Sequence, residues 1–407
     1  MKKFGPLLRW SFMAVSLGLG CTPSALADNA PGVTSNSIKI GLFAPLSGPD
    51  KAYGFDPLNA AKMWYNKINA DGGIYGRKID YIVQDTRCNA NDLVAAVKKL
   101  VEQDHVFILN GGSCSAAIVA AKGYVVRNQI PLVMLNASGD GALYPPVKEI
   151  YGAFSISQHA IGGSIVDFAV KYFKAKKIGY INHDDAYGSW NLQSARYTAQ
   201  QDGATLDVES INPDIDDVTA PLLKIKAENP DVLVLVTYAR PAELIIKAAH
   251  ELGYNKPIIL AVTGIADLKQ LVQNVGGPAA LQNFYIQDVL AAPAGSKKLQ
   301  WVYQMYKTAY PELASQPGYP QPYMPYGLPP AMAVVKALQD AGPNPTRAKF
   351  LEALSHMHLD TGIMASPINF TPDNHVAQKS AIYLKFDGTT TTLIPGSYTD
   401  PWSYGDK

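Results

Sequence analysis

The segment from Ile38 to Gln84 limits the possible fold more than any other part of the chain. An apolar run from Ile38 to Pro45 ends at Ser47-Gly48-Pro49, and a helical pattern with one apolar face follows it. The helical pattern ends at Asp71-Gly72-Gly73, where glycine permits the positive φ of a helix end, and a second strand pattern covers 78–84. Strand, helix and strand in this order predict two parallel strands with the helix packed against them.

Strand and helix patterns continue to alternate along most of the chain. The further predicted strands are Val106–Leu109, Pro131–Leu135, Lys177–Asn182, Val232–Val236, Pro257–Val262 and Phe284–Gln287. Helical patterns lie between them, and one of these opens at Pro241 and ends at Gly253. Such alternation predicts an α/β protein whose parallel sheets are covered by helices on both faces. The pattern alone leaves open where one sheet ends and the next begins.

The first 27 residues have the features of a secretory signal peptide. Two lysines precede an apolar run from Trp10 to Leu19, and Ala25-Leu26-Ala27 supplies small residues for cleavage. The apolar run is shorter than the roughly 20 residues that a membrane-spanning helix needs. We therefore predict a periplasmic protein whose mature chain begins at Asp28. We do not expect a lipid anchor at Cys21, because glycine rather than leucine stands three residues before it.

Size and charge narrow the class of the mature protein. About 380 residues remain after cleavage, which is more than one hydrophobic core usually contains, so we expect two domains. The formal net charge is +1, and the longest lysine or arginine runs after the leader are pairs such as Lys297-Lys298. This distribution offers no electrostatic surface to nucleic acid or to an anionic membrane. We expect neither as a partner.

Sequence motifs of common enzyme classes are absent. The chain contains no GxSxG, P-loop, HExxH, SxxK or CxxC sequence. His356 and His358 are the closest pair of histidines, and we interpret this pair as surface residues rather than as metal ligands. We predict a protein without enzymatic activity, cofactor or metal.

Four motifs identify a family resemblance. They are SGP at 47–49, AYG at 52–54, INADGGIYGRKI at 68–79 and LKIKAENPD at 223–231. In order and spacing they resemble the periplasmic leucine/isoleucine/valine-binding protein family, the type I solute-binding proteins of ABC importers. The resemblance extends from about residue 37 to about residue 388.

The resemblance implies a fold and a division into lobes. The family fold has two doubly wound, Rossmann-like lobes that are joined by three crossovers, with a ligand cleft between them. Carried over to this chain, lobe one covers 28–154 and 284–362, and lobe two covers 155–283 and 363–388. Residues 389–407 would then form a C-terminal tail.

Cys88 and Cys114 are the cysteines that remain after the predicted cleavage. Two cysteines in an exported chain suggest a disulfide, and two unrelated buried thiols are the alternative. The resemblance implies the disulfide, because the family pairs cysteines at these two places, each after a strand of the first lobe.

Ser115 is the first candidate binding residue. It follows a predicted strand and precedes a helical run, so its hydroxyl and the free N–H groups of the helix start could hold a carboxylate. A simple helix-capping role is the alternative. The resemblance implies that Ser115 contacts the ligand carboxylate, and that Ala137, Ser138 and Gly139 contribute a backbone carbonyl, an N–H and a hydroxyl. Either Ser138 or Gly139 occupies the hydroxyl position.

Several tyrosines are candidates for the walls of the cleft. Tyr53 in AYG and Tyr187 in DDAYG match aromatic positions of the family on opposite lobes, and Tyr323 matches a further one. Tyr238 follows a predicted strand, at the sheet edge where doubly wound folds bind ligands. Aromatic planes exclude water and contact the apolar part of a ligand. We expect the surrounding segment 311–330, rich in proline and tyrosine, to be an ordered loop at the cleft rim; a solvated surface loop is the alternative.

Thr263 departs from the family pattern. Members that bind amino acids hold the ligand ammonium with a carboxylate at this place, and the stretch 155–164, where a second acid often occurs, contains none. A buried ammonium without a counter-charge is unfavourable by several kcal/mol. Asp267 is the nearby acid that could replace the missing one.

Arg240 is a second departure from the family pattern, because many relatives have a smaller or uncharged residue at this strand end. Its cation could bind a carboxylate bidentately or bridge the lobes.

These residues predict the function. We expect a periplasmic receptor that binds a small carboxylate, preferably an aromatic or aliphatic acid, and delivers it to an ABC permease in the inner membrane. Closure of the lobes on the ligand would drive binding, and we expect a monomer. A true amino-acid binder and a ligand-sensing receptor or regulator are the alternatives.

Overall fold

The computed structural model describes Met1 and residues 30–265, 268–293, 296–316 and 323–402. The predicted signal peptide with its Cys21 and the carboxylate of Asp267 lie outside the described residues. Within these ranges, no helix combines the length and the apolar character that crossing a bilayer requires.

The strands follow the predicted alternation with helices. In chain order the strands are β1 Ser37–Ala44, β2 Lys78–Asp85, β3 Ile108–Gly111, β4 Leu132–Met134, β5 Ile150–Ile156, β6 Lys177–His183, β7 Thr205–Ile211, β8 Val232–Val236, β9 Ile258–Leu260, β10 Phe284–Asp288, β11 His358–Leu359, β12 Ile368–Asn369, β13 Val376–Gln378, β14 Ser380–Phe386 and β15 Thr391–Thr399.

The α-helices are α1 Phe55–Ala70, α2 Ala90–Lys98, α3 Ser115–Arg127, α4 Asp140–Leu143, α5 Gln158–Phe173, α6 Ala186–Gln201, α7 Thr219–Ala227, α8 Ala239–Glu251, α9 Leu268–Asn274, α10 Gln300–Ala309, α11 Pro311–Ala314, α12 Leu328–Asp340 and α13 Arg347–Ser355. A π-helical turn at Lys99–Gln103 extends α2.

The unit that opens the chain folds as its pattern predicts. Strand β1 runs parallel to β2 and to β3, with Ile40 paired to Tyr81 on one side and to Ile108 on the other. Helix α1 connects the first two strands, and it buries Leu58 and Tyr65 of the predicted apolar face. Burial of this apolar face against the sheet stabilises the crossover between two parallel strands.

Two large sheets form the cores of two lobes. The first sheet has the strand order β13-β5-β4-β3-β1-β2, and the second has the order β15-β14-β10-β9-β8-β6-β7. Both are parallel except where β14 pairs antiparallel with β10 and with β15. The strand order reverses direction in each sheet, which is the doubly wound arrangement. The predicted α/β fold class with two doubly wound lobes is confirmed.

The chain passes between the sheets three times, at places that differ from the predicted boundaries. The passages follow β5, β10 and β13, whereas the prediction placed them at 154/155, 283/284 and 362/363. Strand β10, predicted to begin the second part of lobe one, pairs with β9 and β14 in the second sheet. The apolar pattern of a strand indicates that it is buried but not which strand it pairs with. The alternation of strands and helices therefore could not predict the sheet to which β10 belongs.

The C-terminal region also differs from the prediction. Strand β13 lies in the first sheet, although 363–388 was assigned wholly to lobe two. The predicted tail 389–407 contains β15, which pairs with β14 from Thr391 opposite Phe386 to Thr399 opposite Ser380. Pro395 and Gly396 interrupt the strand pattern of this region. An edge strand tolerates such residues because one side of its backbone has no strand partner.

Candidate functional site

A cavity of about 170 Å³ lies between the lobes, where strands from both sheets end. Its walls are Asp50, Tyr53, Cys88, Ser113, Cys114, Ser115, Ala116, Asn136, Ser138, Phe154, Ile156, Ile161, Tyr187, Tyr238, Val262, Thr263, Tyr323 and Tyr326. Ser113 to Ser115 follow β3, and Asn136 and Ser138 follow β4. Ligands of doubly wound folds bind beyond the carboxyl ends of the strands, so this cavity is the candidate binding site.

The start of α3 forms the polar end of the cavity. Ser115 is the first residue of the helix, and Cys114 is the cap residue, with no side chain capping the helix start. The interpretation of Ser115 as a helix-capping serine is therefore wrong, because its side chain lies one position inside the helix. The N–H groups of a first helical turn have no partner within the helix, and they carry the positive end of the helix dipole. This arrangement suits an anion.

Two polar atoms next to the helix start lack partners. The Oγ of Ser113 is buried and has no hydrogen-bond partner among the described residues, and the buried Oδ1 of Asn136 accepts no hydrogen bond from them. Buried polar groups are normally paired, since leaving one unpaired is unfavourable by about 1–3 kcal/mol. A bound ligand would relieve this deficit at Ser113, whose hydroxyl can donate to a carboxylate oxygen.

A disulfide fixes the backbone beside this helix start. Cys88 and Cys114 are bonded, with their Cα atoms 5.5 Å apart, and both line the cavity. The predicted pairing is confirmed. Cys88 adopts a positive φ of 59° at the end of the loop after β2. The bridge therefore ties that loop to the residue directly before Ser115.

The segment 136–139 contributes fewer contacts than predicted. Ser138 lines the cavity, whereas Ala137 and Gly139 do not. The N–H of Ala137 already donates to the carbonyl of Gly112 at 3.1 Å. A Cβ on Gly139 would meet the carbonyl oxygen of Ser115 at 2.9 Å, so this residue packs against α3. Of the two candidates for the hydroxyl position, Ser138 is therefore the one placed at the cavity.

Asn136, which begins the predicted cleft segment 136–139 but was not predicted as a contact residue, holds the AYG segment in place. Its Nδ2 donates to the carbonyl of Tyr53 at 2.8 Å. The bond fixes the loop that carries Tyr53 relative to the end of β4. The signal in the sequence was a polar residue directly after a buried strand, next to the segment already identified.

The four predicted tyrosines come together around the cavity. The ring centroids of Tyr53 and Tyr323 are 5.1 Å apart, those of Tyr187 and Tyr238 are 5.2 Å apart, and those of Tyr53 and Tyr238 are 6.4 Å apart. Burial raises the pKa of Tyr53 to about 12 and that of Tyr187 well above its ordinary value. The hydroxyls therefore stay protonated near neutral pH, and the rings form an uncharged wall that both lobes contribute to.

Two further aromatic residues extend this wall. Phe154 in β5 and Tyr326 stack with their centroids 4.1 Å apart and an interplanar angle of 23°. Tyr326 lies in the segment 311–330, of which the structure describes 311–316 and 323–330. Residues 324–327 form a 3₁₀ turn, and α12 begins at Leu328 with prolines in its first turn, where the missing N–H groups need no partner. The described part next to Tyr323 therefore lies at the cleft, as predicted for an ordered rim.

Thr263 lies in a short turn after β9 and faces two tyrosines. Its Oγ1 is hydrogen-bonded to the hydroxyl of Tyr187, and its carbonyl accepts from the hydroxyl of Tyr323 at 3.5 Å. Among the described residues, no carboxylate takes part in this cluster. Thr263, which has a hydroxyl where amino-acid-binding relatives have an acid, therefore lies at the cavity wall.

Asp50 is the carboxylate at the cavity that the sequence reasoning missed. It directly follows Ser47-Gly48-Pro49, in the loop after β1, and burial raises its pKa. Its negative charge in turn raises the pKa of Tyr53 and of Tyr238, and all three residues line the cavity. The position after the first strand of a doubly wound lobe was the available signal.

Arg240 does not reach the cavity. Its guanidinium forms an ion pair with Asp216 and donates to the carbonyl of Ile215 at 3.0 Å. The side chains of Arg240 and Asp216 are 57% and 87% exposed. Both predicted roles are wrong, because α8 begins at Ala239 and its first turn directs the arginine to the surface of its own lobe. In the described residues, no lysine or arginine lines the cavity.

The remaining chemistry at the site is sparse. The described residues contain no group of three or more His, Cys, Asp or Glu side chains that could hold a metal ion. His183 lies under the tyrosine wall, where its Nε2 accepts the N–H of Tyr238 at 3.2 Å. This bond requires an unprotonated Nε2, so the ring acts as a support for the loop of Tyr238.

Comparisons with known proteins agree with this architecture. The family model described as "Periplasmic binding protein" matches residues 37–389. An "Amino acid binding protein" of Pseudomonas aeruginosa is 26% identical over 286 residues, which are 68% of this chain and 70% of that protein.

Two solved structures share the fold. The fatty acid ABC transporter substrate-binding protein from Thermomonospora curvata superposes with a TM-score of 0.75 at 22% identity, covering 92% of this chain and 95% of that one. The R. palustris ABC transporter solute-binding protein in complex with 4-hydroxybenzoate gives a TM-score of 0.76 at 15% identity, covering 91% and 99%. The family match, the paired doubly wound sheets and the cavity between them lead to one conclusion: this chain belongs to the type I periplasmic binding proteins of ABC importers, whose members are solute-binding proteins rather than enzymes.

Proposed function

We propose that the protein is a periplasmic receptor for a small monocarboxylate without an α-amino group, with an aromatic acid as the preferred ligand. The observation that carries the proposal is the cavity itself: it joins an uncapped helix start to a wall of tyrosines. The receptor would release its ligand to an ABC permease. Residues 1–27 would direct its export, and a monomer is sufficient for the cleft, because one chain supplies both walls.

The polar end would hold the carboxylate without a cation. Ser115, Ser113 and Ser138 offer hydroxyls, and the first turn of α3 offers N–H groups. Such donors stabilise an anion through charge-assisted hydrogen bonds. Asp50 would repel a second negative charge, which favours a monocarboxylate over a dicarboxylate.

The tyrosine wall would contact the body of the ligand. A buried cavity of about 150 Å³ is large enough for benzene, so about 170 Å³ accommodates one ring or a branched aliphatic group. Aromatic rings prefer offset or edge-on contacts at centroid separations of about 4.5–7 Å. The tilted tyrosines on opposite lobes provide such contacts when the lobes are closed.

A second candidate function is the binding of a zwitterionic amino acid. Asp50 favours this alternative, because its carboxylate is the one acid among the described cavity walls. Its partial burial raises its pKa, and an ammonium group would offset that desolvation. Against this, Asp50 belongs to the loop of Tyr53, whose N–H donates to the Asp50 carbonyl at 3.1 Å, and Thr263 leaves the usual ammonium position uncharged.

We expect Ser115→Ala to weaken binding of 3-phenylpropionate by roughly 1–3 kcal/mol, because it removes a donor to the carboxylate. Isothermal titration calorimetry measures the loss, and thermal unfolding without ligand should stay close to wild type. Arg240→Ala is the control, since an exposed ion pair contributes about 0–1 kcal/mol and the side chain lies away from the cavity. Equal affinity of Ser115→Ala and wild type would contradict the assignment of the carboxylate end.

A further inference from the structure

A second, smaller cavity of about 80 Å³ adjoins the first. Val262, Tyr323 and Tyr326 line both cavities, so only the thickness of these side chains separates the two spaces. The Tyr323 hydroxyl is held by a 3.5 Å contact to the Thr263 carbonyl, which is at the limit of a hydrogen bond. A ligand that reached both cavities would have to displace the Tyr323 ring, whose hydroxyl also interacts with that of Tyr53.

Asp288 is the polar feature of the second cavity that the proposed function does not use. It is the last residue of β10 and is 9% exposed. Its Oδ1 accepts the N–H groups of Val289 at 2.7 Å and of Leu290 at 3.1 Å. The second oxygen accepts no hydrogen bond from the described residues. Burial raises the pKa of this carboxyl to about 6, so the group stays mostly ionised at neutral pH.

Asp288 is the one carboxylate among the described residues that line this cavity, and Thr391 adds a hydroxyl. Apolar side chains form most of the other walls, namely Ile265, Leu268, Ile286, Leu290 and Leu384. Gln287 also lines it, but its Nε2 donates to Ile161, Ser164 and Tyr383, and its Oε1 accepts the N–H of Val262 at 3.3 Å. Because Asp288 is 9% exposed, water can reach its second oxygen, and a ligand hydroxyl would take the place of that water.

We propose that the second cavity receives the far end of an elongated ligand, and that Asp288 accepts a hydrogen bond from a hydroxyl group there. The inference rests on the proposed function, because the ligand's carboxylate would lie at the start of α3 in the first cavity. The first cavity has room for about one ring, so a longer acid needs additional space. A hydroxyl suits the site better than an ammonium, since the carboxylate would solvate only one side of a cation and the apolar walls would leave the rest of its charge without partners.

The direct test compares ligands that differ by one hydroxyl. Calorimetry with the full mature protein would measure 3-(4-hydroxyphenyl)propionate against 3-phenylpropionate, and 6-hydroxyhexanoate against hexanoate. We expect the hydroxylated member of at least one pair to bind about tenfold tighter, as a charge-assisted hydrogen bond predicts. Equal affinities within both pairs would overturn the inference while leaving the proposed function intact. Failure of all four acids to bind would overturn the proposed function, and this inference with it.

The variant Asp288→Asn tests whether Asp288 itself causes the preference for the hydroxylated acid. Asparagine keeps a side-chain oxygen for the N–H groups of Val289 and Leu290, so the turn after β10 should persist, as thermal unfolding would verify. We expect the preference for the hydroxylated acid to fall to about twofold or less. Asp216→Asn, at an 87% exposed side chain, is the matched control and should keep the full preference. A preference that persists in Asp288→Asn would remove Asp288 from the subsite.

Discussion

Replacing Cys88 and Cys114 together by serine is expected to lower the free energy of unfolding by about 3–4 kcal/mol. The bridge spans 26 residues of sequence, and a cross-link of that span removes chain entropy of this size from the unfolded state. Because Cys114 directly precedes Ser115 and both cysteines line the cavity, we expect ligand affinity to fall as well. The loss of the bridge would free the helix start from the loop after β2.

Urea unfolding of the double variant and of oxidised wild type measures the change. Wild type treated with a reductant is the matched control, and it should unfold at the same lower urea concentration as the variant. Alkylation under denaturing, non-reducing conditions, followed by mass measurement, should leave both wild-type cysteines unmodified, because neither has a free thiol. A stability difference below about 1 kcal/mol would contradict a structural role for the bridge.

The second large effect is expected at Thr263. Thr263→Glu places a carboxylate beside Tyr187 and Tyr323, and it should shift the preference between a carboxylic acid and its α-amino counterpart by roughly 2–3 kcal/mol toward the amino acid. The reason is that a buried ammonium gains a counter-charge, while the deaminated ligand gains only repulsion from a second anion. Calorimetric titration of the variant measures the gain in affinity for phenylalanine and the loss in affinity for 3-phenylpropionate.

Thr263→Gln is the control for this experiment, because it has nearly the size of glutamate without the charge. Its ratio of the two affinities should remain close to that of wild type. Similar ratios in the Glu and Gln variants would mean that size rather than charge determines the result. In that case Thr263 would not occupy the ammonium position.

Much of the fold could be predicted because local patterns determine it. Val232–Val236 is a strand with the predicted bounds, and α1 buries the predicted face, since apolar spacing and a glycine-rich helix end are local properties. Membership of a sheet is not local. Strand β10 joins the second sheet by pairing with β14, which lies about a hundred residues later in the chain, whereas β15 is added to the sheet edge by a local hairpin with β14.

In the candidate site, too, residues within local motifs could be predicted, whereas residues whose position depends on the whole fold could not. Ser115, Tyr53 and Tyr187 could be placed because they lie in motifs at fixed distances from strand ends. Arg240 could not, because one helical position decides whether a side chain enters the cleft or faces solvent. Asp50 escaped notice because it belongs to a loop whose direction depends on the whole lobe. The finding matters for function, since Asp50 is the acid among the described cavity walls that an ammonium group would pair with.

The most direct test of the proposed function is a calorimetric comparison of 3-phenylpropionate with phenylalanine on wild-type protein. The two ligands differ by the α-amino group alone, so the comparison isolates the group for which Thr263 provides no charge. We predict that 3-phenylpropionate binds at least about tenfold tighter, because the amino acid loses the hydration of its ammonium without gaining a full counter-charge. Micromolar binding of phenylalanine together with no binding of 3-phenylpropionate would contradict the proposal, and Asp50→Asn would then show whether Asp50 holds the ammonium.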